Sequence, residues 1–181
     1  MQPMVFRQAT ADDLEPVAAL MARVTAELNA QGILQWDASY PSRMFLEEAL
    51  ADDTLFVLSA DGELVGATVL DEWQAPQWMA IPWQHREAAV LVIHALVIDP
   101  ARHGRGYGAA LVQHCECWAR KHGYGSIRID AFAGNGAALR LYERLGYVYR
   151  GDVEFRSKPA GHQRYRCYEK SLSMGSDPDR L

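Results

Sequence analysis

Residues 98–112 read I-D-P-A-R-H-G-R-G-Y-G-A-A-L-V, and this stretch decides the fold. It follows a mostly apolar run, residues 89–98, which fits a strand covered on both faces and therefore central in a sheet. Asp99-Pro100 ends that strand. Glycines then alternate at Gly104, Gly106 and Gly108, and a helix is predicted from about Tyr107 to His122. Glycine lets backbone approach a ligand closely and take positive φ. The helix N-terminus behind it offers unpaired N–H groups and a partial positive charge. Together these make a phosphate site, with Arg102, Arg105 and His103 adding charge around it. The plain alternative is a glycine-rich link between strand and helix.

Two phosphate loops fit less well. A Walker A loop needs Gly-Lys-Ser/Thr, which is absent. A dinucleotide fingerprint is formally matched by Gly104, Gly106 and Ala109, with Asp130 downstream at about the expected distance of 20 residues. That fingerprint starts straight after its strand, however, whereas residues 99–103 intervene here.

Outward from the loop, alternation and turn residues mark the other elements. Residues 4–8 read as a first strand, and Thr10 to Asp13 cap an amphipathic helix over 14–28 that ends in residues 29–32. Pro16 fits only its first turn. Pro41 and Ser42 open a second helix ending near Asp52. Residues 54–60 and 63–73 are strands joined by Asp61-Gly62, a two-residue hairpin signal. Residues 33–40 lack periodicity, and 74–86 form a loop rich in Trp and Pro. Beyond the long helix, 126–132 is a strand, Asn135 caps a helix reaching Leu145, and 147–156 pairs with 164–172. One domain, residues 1–172, is expected, with a disordered tail over 173–181.

Residues 135–147, N-G-A-A-L-R-L-Y-E-R-L-G-Y, form a second constellation. Asn135 is a good N-cap, and Tyr142, seven residues on, lies near the same helix face. A core tyrosine would have that spacing too. The two constellations together resemble the GNAT superfamily of N-acetyltransferases. The family's Gln/Arg-x-x-Gly-x-Gly/Ala pattern falls on His103, Gly106 and Gly108, with His departing from the pattern at the first position. Its later Asn-x-x-Ala-x-x-x-Tyr-x-x-x-Gly-Phe/Tyr pattern falls on Asn135, Ala138, Tyr142, Gly146 and Tyr147.

The resemblance implies an α/β (α+β) fold in one domain, with a central mixed, mostly antiparallel sheet of about seven strands flanked by helices. It implies acetyl-CoA as co-substrate and transfer of the acetyl group to a primary amine of a small molecule or peptide by direct attack. Cofactor contacts are then expected from Leu96, Val97 and Ile98 on the strand. The loop would add Arg102, His103, Gly104, Arg105, Gly106, Tyr107, Gly108 and Ala109, and the later helix Asn135 and Ala138. Backbone N–H groups near 96–98 would stabilise the developing oxyanion. Tyr142 would serve the leaving sulfur. A phenol of pKa about 10 is a weaker acid than a thiol at about 8.5, so it would donate a hydrogen bond rather than a whole proton.

An ammonium with a pKa of about 10.4 must lose its proton first. His94, inside the apolar strand, is the candidate base. Asp71, Glu72 and Glu87 are alternatives. Trp36, Trp73, Trp78 and Trp83 fall in or beside the irregular segments, and Trp36, Tyr40, Trp73 and Glu72 are expected to wall the acceptor site. Core filling beneath long loops is the other reading for at least half of those tryptophans.

Composition sets limits. The chain has 181 residues, 49% hydrophobic and 23% charged, with a net charge of −5. That argues against a nucleic-acid partner and weakly favours a cationic acceptor. No signal peptide or apolar stretch of about 20 residues is seen, so no membrane partner is expected. Cys115, Cys117 and Cys167 are few and lack metal spacing, which suggests no metal, free thiols and a cytoplasmic setting. A homodimer stays open, and so does a non-catalytic acyl-CoA-binding sensor of the same fold.

Overall fold

The computed structural model describes residues 4–172, so the expectation for the 173–181 tail lies outside the described residues. Seven strands form one sheet: β1 (Met4–Gln8), β2 (Leu55–Ala60), β3 (Glu63–Asp71), β4 (Val90–Ile98), β5 (Ser126–Phe132), β6 (Val148–Glu154) and β7 (Arg164–Ser171). Their order is β1-β2-β3-β4-β5-β7-β6, and only β4 and β5 run parallel. The sheet is therefore mixed and mostly antiparallel within a single domain, as expected. Four helices flank it: α1 (Leu14–Ala30), α2 (Arg43–Ala51), α3 (Tyr107–Lys121) and α4 (Gly136–Arg144).

Local chemistry explains the element ends. Before α1, the Asp13 carboxylate accepts from the Thr10 backbone N–H at 2.7 Å and from Arg7 at 2.6 Å. The Arg7 hydrogen bond is the main cause that holds this acid down at about 2. Ser42 caps α2 by accepting from Phe45 N–H at 3.1 Å. The β2–β3 turn has positive φ at both Asp61 and Gly62, as a type I′ hairpin requires. β3 stops at Asp71 rather than running to Trp73, because Asp71 Oδ1 turns back to accept from Trp73 N–H at 2.8 Å. The 74–86 loop holds one short 3-10 turn, Pro76–Ala80.

The core has two sides. On one face α3 and α4 bury Leu111, Val112, Cys115, Leu139 and Tyr142 against Phe56, Leu58, Leu91, Ile93, Ile127 and Ile129. On the other, α1 and α2 cover Leu55, Val57, Ala67, Val69 and Val97. The 74–86 loop extends that second layer, packing Trp78 and Trp83 on Val90, Val92, Phe132 and Cys167. Strand alternation thus sends Ile127, Ile129 and Ala131 to the α3/α4 face and Arg128, Asp130 and Phe132 to the opposite one.

β4 and β5 part company along their length. They pair only at Val90–Val92 against Ser126–Arg128, although β4 continues to Ile98 and β5 to Phe132. A bulge accompanies the parting. Val69 pairs with His94 but Ala67 with Val97, so β4 carries one extra residue. Ala95 there takes φ +48°, in the left-handed region. The His94 carbonyl accepts instead from the buried Thr68 hydroxyl at 3.0 Å.

Candidate active site

The opening between β4 and β5 joins the two sides of the sheet. From Ile93 onward, the β4 N–H groups that point towards β5 have no neighbouring strand to bond. Leu96, Val97 and Ile98 lie on this segment. At its end the chain turns through Pro100–Arg102 and the glycines into α3.

The turn leaves the α3 N-terminus bare. Gly106 sits at the N-cap with φ +84° and no side-chain cap, and the first intrahelical bond runs from Ala110 to Gly106. The N–H groups of Tyr107, Gly108 and Ala109 therefore stay available, beside the positive end of the helix dipole. Added β-carbons at Gly104 and Gly106 would meet nothing within 4 Å, so the space above the turn is open. The expected ring of cations is thinner than the sequence suggested. Arg102 is engaged by Glu63, and His103 Nε2 by the Ile98 carbonyl at 3.2 Å. Arg105 alone of the three has no partner among the described residues.

On the α3/α4 face, α4 brings Tyr142 beneath the opening. Tyr142 is 5% exposed and packs edge-on against Tyr147, with ring centroids 5.9 Å apart. Burial, with the Asp130 charge behind it, pushes its hydroxyl far above the ordinary phenol range. The phenol is therefore a proton-bearing donor at any working pH. Asn135 caps α4 by accepting from Ala138 N–H at 3.2 Å, and its amide donates to Gln35 Oε1 at 3.0 Å. Both ends of its side chain are thus engaged within the protein.

The opposite face is acidic at its centre and aromatic around it. His94 Nε2 meets Asp71 Oδ1 at 2.8 Å, and the exposed Trp73 ring lies 5.9 Å from the imidazole. Asp130 sits on β5 beyond the point of parting. It is closely surrounded by protein and only partly accessible. Its Oδ2 accepts from Trp78 Nε1 at 3.1 Å, while Oδ1 has no partner among the described residues. Burial raises this carboxyl to about 6. Its charge in turn acts on Tyr40, Tyr142 and Tyr165, which places all three near it.

Segment 33–40 roofs this side. The Gln35 carbonyl accepts from Lys158 Nζ at 2.8 Å and from the Tyr165 hydroxyl at 3.3 Å. His162 Nε2 lies 3.0 Å from the Gly32 carbonyl. The β6–β7 loop therefore pins the α1–α2 connection over the cleft. The 74–86 loop is pinned too, through Glu169 on β7. That buried carboxylate accepts from Gln84 and His85 N–H at 2.8 and 3.3 Å, from Ser126 at 3.1 Å and from Arg128 at 3.1 Å. Burial pushes it up, but those donors prevail and hold it below the usual range.

The family model of the GNAT acetyltransferases matches residues 21–147. The chain belongs to the GNAT acetyltransferase family. Among its relatives is the uncharacterized N-acetyltransferase YesJ of Bacillus subtilis strain 168, 25% identical over 171 residues, 91% of this chain and 88% of that one. A GNAT structure from Streptococcus agalactiae 2603 superposes with a TM-score of 0.81 at 22% identity, covering 93% and 95% of the two chains. The yncA structure of Salmonella typhimurium, which carries its cofactor acetyl-CoA, superposes with a TM-score of 0.70 at 17% identity, covering 98% and 99%. The chain spans about half the length of some other relatives that it matches.

This GNAT chain draws its predicted residues together unevenly. His94 and the 96–98 segment lie on the part of β4 that leaves β5, the glycine turn follows it, and Tyr142 is buried on α4 on the other face of the sheet. Trp36 and Tyr40 pack beneath segment 33–40 on the α1/α2 core. Glu72 is taken up by the Tyr124 hydroxyl at 2.8 Å. Trp78 and Trp83 fill core, while Trp73 is 62% exposed. The alternating cysteines diverge, Cys115 buried and Cys117 exposed. The sequence reading gives Lys158 no place on this face, and Asp130 only the downstream position of a dinucleotide fingerprint, which the family match displaces. An aspartate inside the otherwise apolar run 129–132 was the available signal.

Proposed function

We propose that the chain is an acetyl-CoA-dependent N-acetyltransferase whose acceptor is a primary amine of a small molecule or peptide. The observation that carries this reading is the parting of β4 from β5. It has a bare helix N-terminus at one end, the Tyr142 phenol on one face and the His94 and Asp130 side chains on the other.

The residues present fit the cofactor. The free N–H groups of Tyr107, Gly108 and Ala109, with Arg105 beside them, suit a pyrophosphate. The unpaired edge of β4 over 96–98 suits an extended amide-bearing arm and then the thioester oxygen. When bound, acetyl-CoA supplies an acyl group activated as a thioester.

The chain's own groups do the rest. Asp130 holds the acceptor as its ammonium. His94, fixed by Asp71 through Nε2, takes the amine proton on Nδ1. The C–N bond then forms as the C–S bond breaks, the Tyr142 hydroxyl donates a hydrogen bond to the departing thiolate, and the second nitrogen proton passes to that thiolate through water, leaving the neutral amide and the CoA thiol. The free thiols of Cys115, Cys117 and Cys167 support a reducing, cytoplasmic setting.

The test is CoA release from acetyl-CoA across a panel of amines, with the acetylated product identified by mass. Amine-dependent release is the expected result. Tight acetyl-CoA binding with no release for any amine would leave a sensor, and would sink the enzyme reading.

A further inference from the structure

Two enclosed charges of opposite sign share the acceptor cleft without meeting. Asp130 is one, with Oδ1 unpartnered and only an indole N–H on Oδ2. Lys158, half-buried in the β6–β7 loop, is the other. Its ammonium donates to the Gln35 carbonyl at 2.8 Å and stands 5.3 Å from the centre of the Tyr40 ring. Neither forms an ion pair with any described residue. They are nonetheless neighbours: Lys158 Nζ and the Tyr165 hydroxyl donate to the same Gln35 carbonyl, and Tyr165 packs on Phe132, two residues along β5 on the face that carries Asp130.

That arrangement is costly in an empty protein. A charge taken out of water is normally paired or neutralised. Burial here raises the Asp130 carboxyl and lowers the Lys158 ammonium, so each is pushed towards its neutral form. Flexible lysine could reach a nearby carboxylate, but its ammonium is held by the Gln35 carbonyl over the Tyr40 ring. Asp71 and Asp37 lie nearby as well, each with one oxygen engaged, and Asp37 acts on the Lys158 charge without bonding to it. Asp71 Oδ1 is bound by His94 and Trp73 N–H, and Asp37 Oδ1 by Ser39 N–H and hydroxyl at 2.7 and 2.6 Å. Two vacant and complementary charges held apart across one cleft match a ligand that brings both partners with it.

We infer that the acceptor is a zwitterionic amine, a free amino acid or short peptide whose ammonium meets Asp130 and whose carboxylate meets Lys158. An acceptor carrying only positive charge would leave Lys158 facing a cation. The inference rests on the acetyl-transfer reading for its chemistry, but its charge logic can be tested by binding alone.

The experiment compares glycine, L-alanine and glycylglycine with glycinamide, L-alaninamide and glycylglycinamide. Each is read by thermal shift in the presence of CoA and by kcat/KM for CoA release, in the wild type and in Lys158→Met and Lys158→Arg. The carboxylates should be preferred over their amides by about tenfold or more, as expected for a charge pair in a partly dry cleft. Lys158→Met should bring that ratio towards one by raising KM rather than lowering kcat, and Lys158→Arg should restore it. Because the readout is a ratio within each variant, a general loosening of segment 33–40 would not mimic the result. Lysine-dependent binding of the carboxylates without any CoA release would leave the inference standing and remove the transferase reading. Amine-dependent release with amides equal to or better than acids, a ratio unchanged in Lys158→Met, or no binding or turnover of any carboxylate probe would overturn the inference.

Discussion

His94 Nε2 lies 2.8 Å from Asp71 Oδ1, on the neighbouring strand. The contact places the ring proton on Nε2 and leaves Nδ1 to receive one. Asp71→Asn keeps the shape but presents an amide that can hold the wrong tautomer. We expect kcat to fall by about 10- to 100-fold, with KM for acetyl-CoA little changed. Steady-state kinetics against acetyl-CoA check this, and an unaltered kcat would remove His94 from proton transfer.

Tyr142→Phe should lower kcat by about 10- to 100-fold through loss of one hydrogen bond made mainly to the departing sulfur. Burial holds this phenol protonated well beyond the ordinary range. The wild-type and variant pH–rate profiles should therefore share the same alkaline limb up to about pH 10. A limb that disappears with the hydroxyl would mean that Tyr142 titrates during turnover.

Gly106→Glu introduces a side chain at φ +84°, where its β-carbon meets no neighbour. The fold should survive at a cost of about 1–2 kcal/mol for the left-handed backbone. The new carboxylate stands at the bare end of α3 and repels an anion. Acetyl-CoA affinity should drop at least about tenfold by calorimetry, consistent with the value of a helix-terminal charge reversed at close range. Unchanged affinity would take the turn out of the cofactor site.

Asp130 should destabilise the protein at neutral pH. Its carboxyl is raised to about 6 in the folded chain from 3.8, so the unfolded chain loses its proton first. Stability attributable to this group is present at low pH and is lost as pH rises towards 6, by up to about 3 kcal/mol. Asp130→Asn should accordingly raise the urea midpoint at pH 8 and leave it nearly unchanged at pH 4, while turnover collapses. A variant less stable than wild type at pH 8 would show that the carboxylate supports the fold instead.

Glu169→Gln removes the anion that balances Arg128 and Arg150, which lies 3.3 Å away through Nε. Breaking a buried pair while leaving the cation in place costs about 3–5 kcal/mol, and the glutamine's retained shape favours the lower end. In the wild type this contribution is complete at neutral pH. It fades as pH falls through the depressed value of the folded carboxylate. Urea unfolding monitored by tryptophan fluorescence would register both effects, since Trp78 and Trp83 sit in the loop that Glu169 secures.

Much of the fold was readable because its signals are local. Asp61-Gly62, Ser42, Asn135 and the glycine turn each act through the backbone of their own few residues. The strand pattern likewise exposed the central position of β4. What escaped depends on distant residues meeting. Nothing near Arg102 in the sequence shows that Glu63 claims its charge. Nothing near Asn135 shows that Gln35, a hundred positions away, receives its amide. The β4 bulge was hidden because a run of apolar residues looks the same with or without one extra member. Asp130 and Lys158 became legible only when the strand opening and the β6–β7 loop brought them to one cleft.

Gln35 is tied to the rest of the molecule at three places: its amide to Asn135, and its carbonyl to Lys158 and Tyr165. Segment 33–40 is therefore no interchangeable cassette. A graft of the corresponding segment from another acetyltransferase would lose the Asn135 mooring unless it kept a side-chain acceptor at position 35, and would keep the other two only where its backbone brings a carbonyl to the same place. Divergence of acceptor choice along this lineage should leave a signature of positions 35 and 135 changing in concert. A library that randomises the segment alone would be searching the wrong space.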